Sequence, residues 1–246
     1  MKKEKVKRKM INEYLPNLFL ELGLSLTTQQ TSQFAIYKDE LLSWNKKFNL
    51  TALIAEKEIM IKHFYDSVLG IKAYEWTGHE KVLDLGTGAG FPGIPLKIIY
   101  PSLAMVLVDS LQKRVGFLKY LLKTLGLEEI KAVHGRAEEL GQAKLYREKF
   151  DLVVSRAVAR LPVLVEYCLP FVKVGGTFLA YKGTEGQKEG QEASMAIKKL
   201  GGKLLKIESF VLPEQMGLRT IIVIQKVNSA PRTYPRRPGI PNKKPL

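Results

Sequence analysis

Residues 81–95, KVLDLGTGAGFPGIP, place a short apolar run directly before four glycines in eight positions. Glycine takes positive φ without a Cβ penalty and lets the backbone approach a ligand closely, so such a loop ties a strand to a helix at a binding edge. Two templates fit it. Gly88 to Gly93 reads G-x-G-x-x-G, and Asp109, 21 residues beyond Gly88, ends the next apolar run, where a dinucleotide's ribose needs an acid. Read from Asp84, the stretch is D-x-G-x-G-x-G through Gly86, Gly88 and Gly90, the S-adenosylmethionine loop of Rossmann-like methyltransferases. Asp109 suits both cofactors, because each carries a ribose diol. Asp84 and Gly86 separate them: the dinucleotide template asks for no acid there, whereas an amino group and a sulfonium favour a nearby carboxylate. A tight turn with no ligand is the plain alternative, and four glycines with two well-placed acids weigh against it. The methyl donor is the expected cofactor.

The texture around the loop sets the fold. Apolar runs at 81–85, 103–108, 130–133 and 150–155 alternate with helix-like stretches at 93–100, 112–125 and 137–146, the pattern of a parallel sheet covered on both faces. A helix at 162–172, a strand at 176–181 and a helix near 185–200 follow. The runs 203–212 and 218–226, joined by the short PEQMG, predict an antiparallel last pairing. Before residue 81 only helical spacing is visible, at 6–24, 29–47 and 55–75. The expectation is an α/β chain in three parts: a helical extension (1–78), a cofactor-binding domain (79–227) and a basic, proline-rich arm (228–246).

Charge separates the ends from the body. Of a formal +15, residues 1–9 contribute six basic groups against one acid, and residues 228–246 five basic groups with no acid. Cationic ends suit phosphate backbones, whose condensed counterions are released on contact; solubilising, unstructured ends are the plain alternative. Tyr234, Arg236 and Arg237, set between prolines, combine a stacking ring with phosphate-seeking charge, and Arg232 joins them. No apolar run is long enough to cross a membrane, and the N-terminus lacks the apolar segment of a signal peptide. A single cysteine, Cys168, allows no intrachain disulfide, which is compatible with the cytoplasm. With no clustered ligand residues, no metal is expected.

Several blocks extend the match beyond the loop: NLTAL (49–53), HFYDSV (63–68), VLDLGTGAGFPGIPL (82–96), LVDS (107–110), RAEEL (136–140), SRAVA (155–159) and YPRRPGIPNKKPL (234–246). Together they resemble the 16S ribosomal RNA guanine-N7 methyltransferases (RsmG, also called glucose-inhibited division protein B) over nearly the whole chain. The resemblance implies a Rossmann-like class I methyltransferase fold, with a seven-stranded, mostly parallel sheet, an antiparallel C-terminal strand and an N-terminal helical extension. It implies 16S ribosomal RNA, or the small subunit, as partner to a monomer. Carried over block by block, it implies cofactor contacts at Gly86, Phe91, Asp109, Ser110, Leu111, Ala137, Glu138 and Arg156, to which the loop reading adds Asp84 and Gly88. All four groups follow strand ends, the ligand edge of an open α/β sheet.

The chemistry offers an independent check. Methylating an exocyclic amine calls for help with a proton, and the [D/N/S]-P-P-[Y/F/W] motif of such enzymes is replaced here by SRAVARLP. Methylating a pyrimidine carbon needs a cysteine nucleophile, and Cys168 lies in an apolar stretch away from any strand end, where a buried structural thiol is expected. Guanine N7 needs neither, so no obligatory acid or base is expected. Arg160 and Lys182, near the ends of strands four and five, are RNA-contact candidates, with a helix-start arginine held by a surface carboxylate as the alternative for the first and a plain C-terminal turn for the second. His63 and Asp66, three apart on a helix, can pair either as part of a site or as a structural brace. Two rivals stand beside the methyltransferase: a nicotinamide-dependent oxidoreductase and a non-catalytic RNA-binding assembly factor.

Overall fold

The structure, a computed structural model, describes residues 2–246, with side chains from Ile11 onward. The side chains of residues 1–10 lie outside the described residues, and with them the basic N-terminal contact expected above. Two long helices, α1 (Lys2–Leu20) and α2 (Thr28–Phe48), open the chain. α2 begins in a capping box, in which Thr27 Oγ1 accepts the Gln30 N–H and Gln30 Oε1 accepts the Thr27 N–H. Its apolar stripe of Phe34, Tyr37 and Leu41 is buried. The helix expected over 55–75 forms in pieces: α3 (Glu56–Glu58), a π-helix over Ile59–Tyr65, and α4 (Asp66–Val68). The wider π turn, a feature common at functional sites, carries His63.

The strands β1 (Lys81–Leu85), β2 (Ala104–Asp109), β3 (Ile130–His134), β4 (Phe150–Arg156), β5 (Val172–Lys182), β6 (Gly202–Val211) and β7 (Leu218–Lys226) form one sheet in the order β3-β2-β1-β4-β5-β7-β6. β1 to β5 are parallel, and β7 is antiparallel to both neighbours. The nicotinamide alternative needs the order 3-2-1-4-5-6 without this reversed strand, so the architecture removes that rival's support. The strand order turns back beside β1, which lies between β2 and β4, and ligands of such sheets bind outside the carboxyl ends there.

Helices cover both faces: α5 (Gly93–Ile99), α6 (Gln112–Thr124), α7 (Ala137–Leu140), α8 (Leu161–Cys168), α9 (Gly186–Glu192) and α10 (Ser194–Lys199). Neighbours on β1 face opposite cores, as the two-residue strand period requires. Val82 packs with Leu15, Phe34, Phe64 and Leu107, whereas Leu83 packs with Val108, Leu164, Phe178 and Ala196. The N-terminal helices therefore share a core with the sheet. Cys168 is fully buried in the second core, and burial pushes its thiol well above its ordinary range, as an inert structural cysteine requires.

The extended arm expected over 228–246 is instead docked on the body and ends in a short helix, α11 (Ile240–Lys243). Glu166 on α8 is 0 % exposed, and a buried carboxylate needs a partnered cation. Arg236 supplies it, with Nε 2.9 Å from Oε1 and a terminal nitrogen 2.5 Å from Oε2. Arg147 donates to the carbonyls of Ala230, Pro231 and Tyr234, and Gln142 to those of Arg232 and Pro235. Proline-rich composition describes the tail's local backbone and is silent on these distant partners.

Candidate cofactor and substrate site

The glycine loop is held from behind. Asp84 ends up fully buried, and its Oδ2 accepts the Thr87 hydroxyl at 2.6 Å and the Gly93 N–H at 2.8 Å. Gly93 has no alternative residue: a Cβ there would lie 2.7 Å from that oxygen and 2.5 Å from Leu107 Cδ2. Asp84 borders neither cavity of the site; buried and accepting two donors, it acts in this structure as a tether that shapes the loop. Its other oxygen has no partner, and burial raises its pKa from 3.8 to about 7 against the opposing pull of Thr87, Gly93 and Arg156.

A folded-state pKa above the unfolded one means that the native chain holds a proton the unfolded chain has released. The stabilising contribution of Asp84 is then complete below about pH 4 and lost as pH rises through about 7. Urea unfolding of wild type and Asp84→Asn across pH 4–8 should show this downward slope in the wild type alone. Equal slopes would contradict it.

Two cavities meet at Gly86, which borders both. The smaller, about 220 Å³, lies over the ends of β2 and β3 and is lined by Asp109, Ser110, Ala137 and Glu138 with the apolar Val108 and Val158. The larger, about 530 Å³, lies over the ends of β4 and β5 and is lined by Gly86, Gly88, Phe91, Arg156, Lys182 and Arg219, among others. Gly86 has φ +71°, and a Cβ there would run into Val158, which leans across from the loop after β4. One cleft with two lobes results. Asp109 is 3 % exposed, and its Oδ2 accepts the Gly88 N–H at 2.9 Å while its Oδ1 accepts the Leu111 N–H at 2.9 Å. Oδ2 also accepts from Arg114 at 3.4 Å, which leaves spare acceptor capacity on Oδ1. An acid beside an apolar slot, reached across glycine backbone, is a donor set that fits an adenosine moiety.

The larger lobe is organised by Asp66. His63 and Asp66 do not pair; both meet Arg156 instead. Asp66 Oδ2 accepts from Arg156 at 3.0 Å and from Arg219 Nε at 2.9 Å, while the second Arg156 terminal nitrogen lies 3.4 Å from His63 Nδ1. His63 Nε2 lies 2.8 Å from the Thr51 hydroxyl, and its ring stacks on Phe91 at 4.3 Å. Burial, followed by the charge of Arg156, lowers the His63 pKa to about 3, so the ring is neutral at physiological pH. Phe91 also stacks on Tyr37 at 5.2 Å, and the Arg156 guanidinium lies 5.1 Å from its ring centre. The cleft wall expected of Phe91 is thus braced by an aromatic and cationic network.

The other candidates divide. Leu111 caps α6 and borders neither cavity; its part is the N–H given to Asp109. Lys182 reaches the larger lobe, paired to Glu189 at 2.7 Å. Arg160 is exposed and pairs with Glu192, whereas Arg232 and Arg237 are exposed on the tail. Arg236 is committed to Glu166, so its guanidinium serves the docking of the tail. Thr51, Lys62 and Arg219 line the larger lobe and escaped the sequence reading. For Arg219 a signal existed: the last strand runs antiparallel, so its first residues reach the same edge as the carboxyl ends of β4 and β5.

Solved structures share this architecture at low sequence identity. A SAM-dependent methyltransferase from Aquifex aeolicus superposes with a TM-score of 0.54 at 14% identity, over 72% of this chain and 96% of that one. NSun6 from Pyrococcus horikoshii gives 0.56 at 14% identity, over 73% of this chain and 57% of that one. The sheet order and the cleft at the strand ends are those of the Rossmann-like fold that these structures share. Sequence comparison narrows this. A family model described as rRNA small subunit methyltransferase G matches residues 30–217. Ribosomal RNA small subunit methyltransferase G of Brevibacillus brevis is 50% identical over 237 residues, covering 96% of this chain and 100% of that relative. The protein of the same name from Staphylococcus epidermidis is 49% identical, covering 95% and 98%. The chain belongs to the rRNA small subunit methyltransferase G family.

Proposed function

We propose that this enzyme methylates the N7 of a guanine in small-subunit (16S) ribosomal RNA, using S-adenosylmethionine. The observation that carries the reading is the larger lobe, which adjoins the glycine loop and is lined by five cationic side chains against two carboxylates, both of them ion-paired. Its one histidine is held neutral by burial and tied to Thr51 and Arg156. When bound, S-adenosylmethionine supplies an electrophilic methyl on a sulfonium, which the N7 lone pair takes without losing a proton. The chain's work is therefore placement, which alone is worth roughly 7–11 kcal/mol of barrier. Asp109 is the acceptor for the ribose diol, with Gly86, Gly88, Ser110, Ala137 and Glu138 around the adenosine. Phe91 and Arg156 form the wall between cofactor and base, and Lys62, Lys182 and Arg219 face the incoming phosphate backbone, with Arg160, Arg232 and Arg237 further out.

Residues 79–227 carry the cofactor in this reading, and residues 1–78 and 228–246 flank the cleft. It includes a monomer, without a metal, working in the cytoplasm beside ribosomal RNA. The test is incorporation of labelled methyl into small-subunit RNA or particles from cells lacking the enzyme, with the modified nucleotide mapped. Label at a guanine N7 is expected. No incorporation by protein with verified cofactor binding would overturn the methylation reading in favour of a non-catalytic assembly factor, and label at another atom would overturn the N7 assignment.

A further inference from the structure

The smaller lobe has a wall that no strand end supplies. Beside Asp109, Ala137 and Glu138, its lining includes Gly239 and Asn242 from the C-terminal tail. The tail is carried there by specific anchors. Arg236 is latched to the buried Glu166, five tail carbonyls are held by Arg147 and Gln142, and the Gly239 N–H lies 3.3 Å from Glu138 Oε1. Pro235 packs so closely on Gly141 that a Cβ there would lie 2.8 Å from its ring. Asn242 itself is exposed, and its carboxamide has no hydrogen-bond partner among the described residues. An anchored segment that brings an unpartnered carboxamide to a cavity edge is built to meet something in that cavity.

The chemistry of the lobe says what. Asp109, suited to a ribose diol, lines the lobe together with the apolar Val108, Val158 and Ala137. An adenosine whose ribose meets Asp109 has its base in the same lobe as the tail's Gly239 and Asn242. A carboxamide offers an acceptor and donors side by side, and adenine presents a 6-amino donor beside a ring-nitrogen acceptor. We propose that the C-terminal tail closes the base-binding end of the cofactor cleft and that Asn242 hydrogen-bonds the adenine edge. The proposal rests on the cofactor reading above. It assigns the tail a second role beside RNA contact: Arg232 and Arg237 are exposed, Arg236 latches the tail, and the last turn faces the cofactor.

Isothermal titration with S-adenosylhomocysteine tests it, repeated with the analogue that lacks the 6-amino group. Asn242 is exposed, so Asn242→Ala leaves the packing intact. Wild type should bind S-adenosylhomocysteine, and Asn242→Ala should bind it about tenfold more weakly, the scale of one bidentate amide–adenine contact. Removing the 6-amino group should weaken wild type similarly and add little to the loss already present in Asn242→Ala. A chain ending at Arg237, which keeps the Glu166 latch, should lose at least as much as Asn242→Ala. Binding by Asn242→Ala within twofold of wild type, or full additivity of the two losses, would overturn the proposal while leaving the cofactor reading intact. Absence of wild-type binding would overturn both.

Discussion

Asp109→Ala is expected to weaken binding of S-adenosylhomocysteine by at least about a hundredfold, the effect of losing two charge-assisted hydrogen bonds of roughly 1.5–3 kcal/mol each. Two losses combine. The carboxylate is the acceptor proposed for the ribose diol, and it also holds the loop by accepting from Gly88 at 2.9 Å and from Leu111 at 2.9 Å. Without it the backbone N–H of Gly88 loses its partner, and the loop is free to leave the geometry that the cleft needs. Asp109→Asn keeps the shape and one acceptor, so an intermediate loss is expected. Calorimetry on variants shown by circular dichroism to be folded measures both. Binding by Asp109→Ala within threefold of wild type would remove Asp109 from the cofactor site.

The second large effect falls on stability. Asp66→Ala should destabilise the fold by about 3–5 kcal/mol, the range found when one partner of a buried ion pair is removed. Asp66 is 2 % exposed on its side chain and accepts from both Arg156 and Arg219 through one oxygen. Removing it leaves two guanidinium groups facing each other across a partly buried space. Some relief comes from water, because Arg219 is a quarter exposed, so the lower half of the range is the better expectation. Urea unfolding with an unchanged m-value gives the number directly. A loss below about 1 kcal/mol would mean that the two arginines find other partners, and Asp66 would no longer be the centre of the lobe.

These two residues also mark the boundary of what could be read without the structure. Asp109 was singled out by its place after the glycines and Ala137, Glu138 and Arg156 by the family resemblance; what strand pattern added is that all four follow strand ends, which an alternating α/β chain sends to one edge. Asp84 was legible from its spacing to the glycines, but its complete burial and its tether bonds to Thr87 and Gly93 were not. His63 and Asp66 were recognised as a polar couple, and the structure separates them by inserting Arg156, 90 residues beyond Asp66. Arg236 and Arg237 looked equivalent in a cationic tail; a buried glutamate 70 residues earlier takes the first, and the second stays exposed.

The sequence by itself determined the class of fold, the cofactor loop and the strand-end residues, because hydrophobic period and glycine placement act between neighbours in the chain. Tertiary structure alone decided the partners of buried charge. A carboxylate removed from water must take whichever cation the fold brings near, and for Asp66 and Glu166 these come from β4, β7 and the C-terminal tail. The tail's place beside the smaller lobe follows from the same cause: it lies where Glu166 and Arg147 hold it, a position that no local pattern encodes.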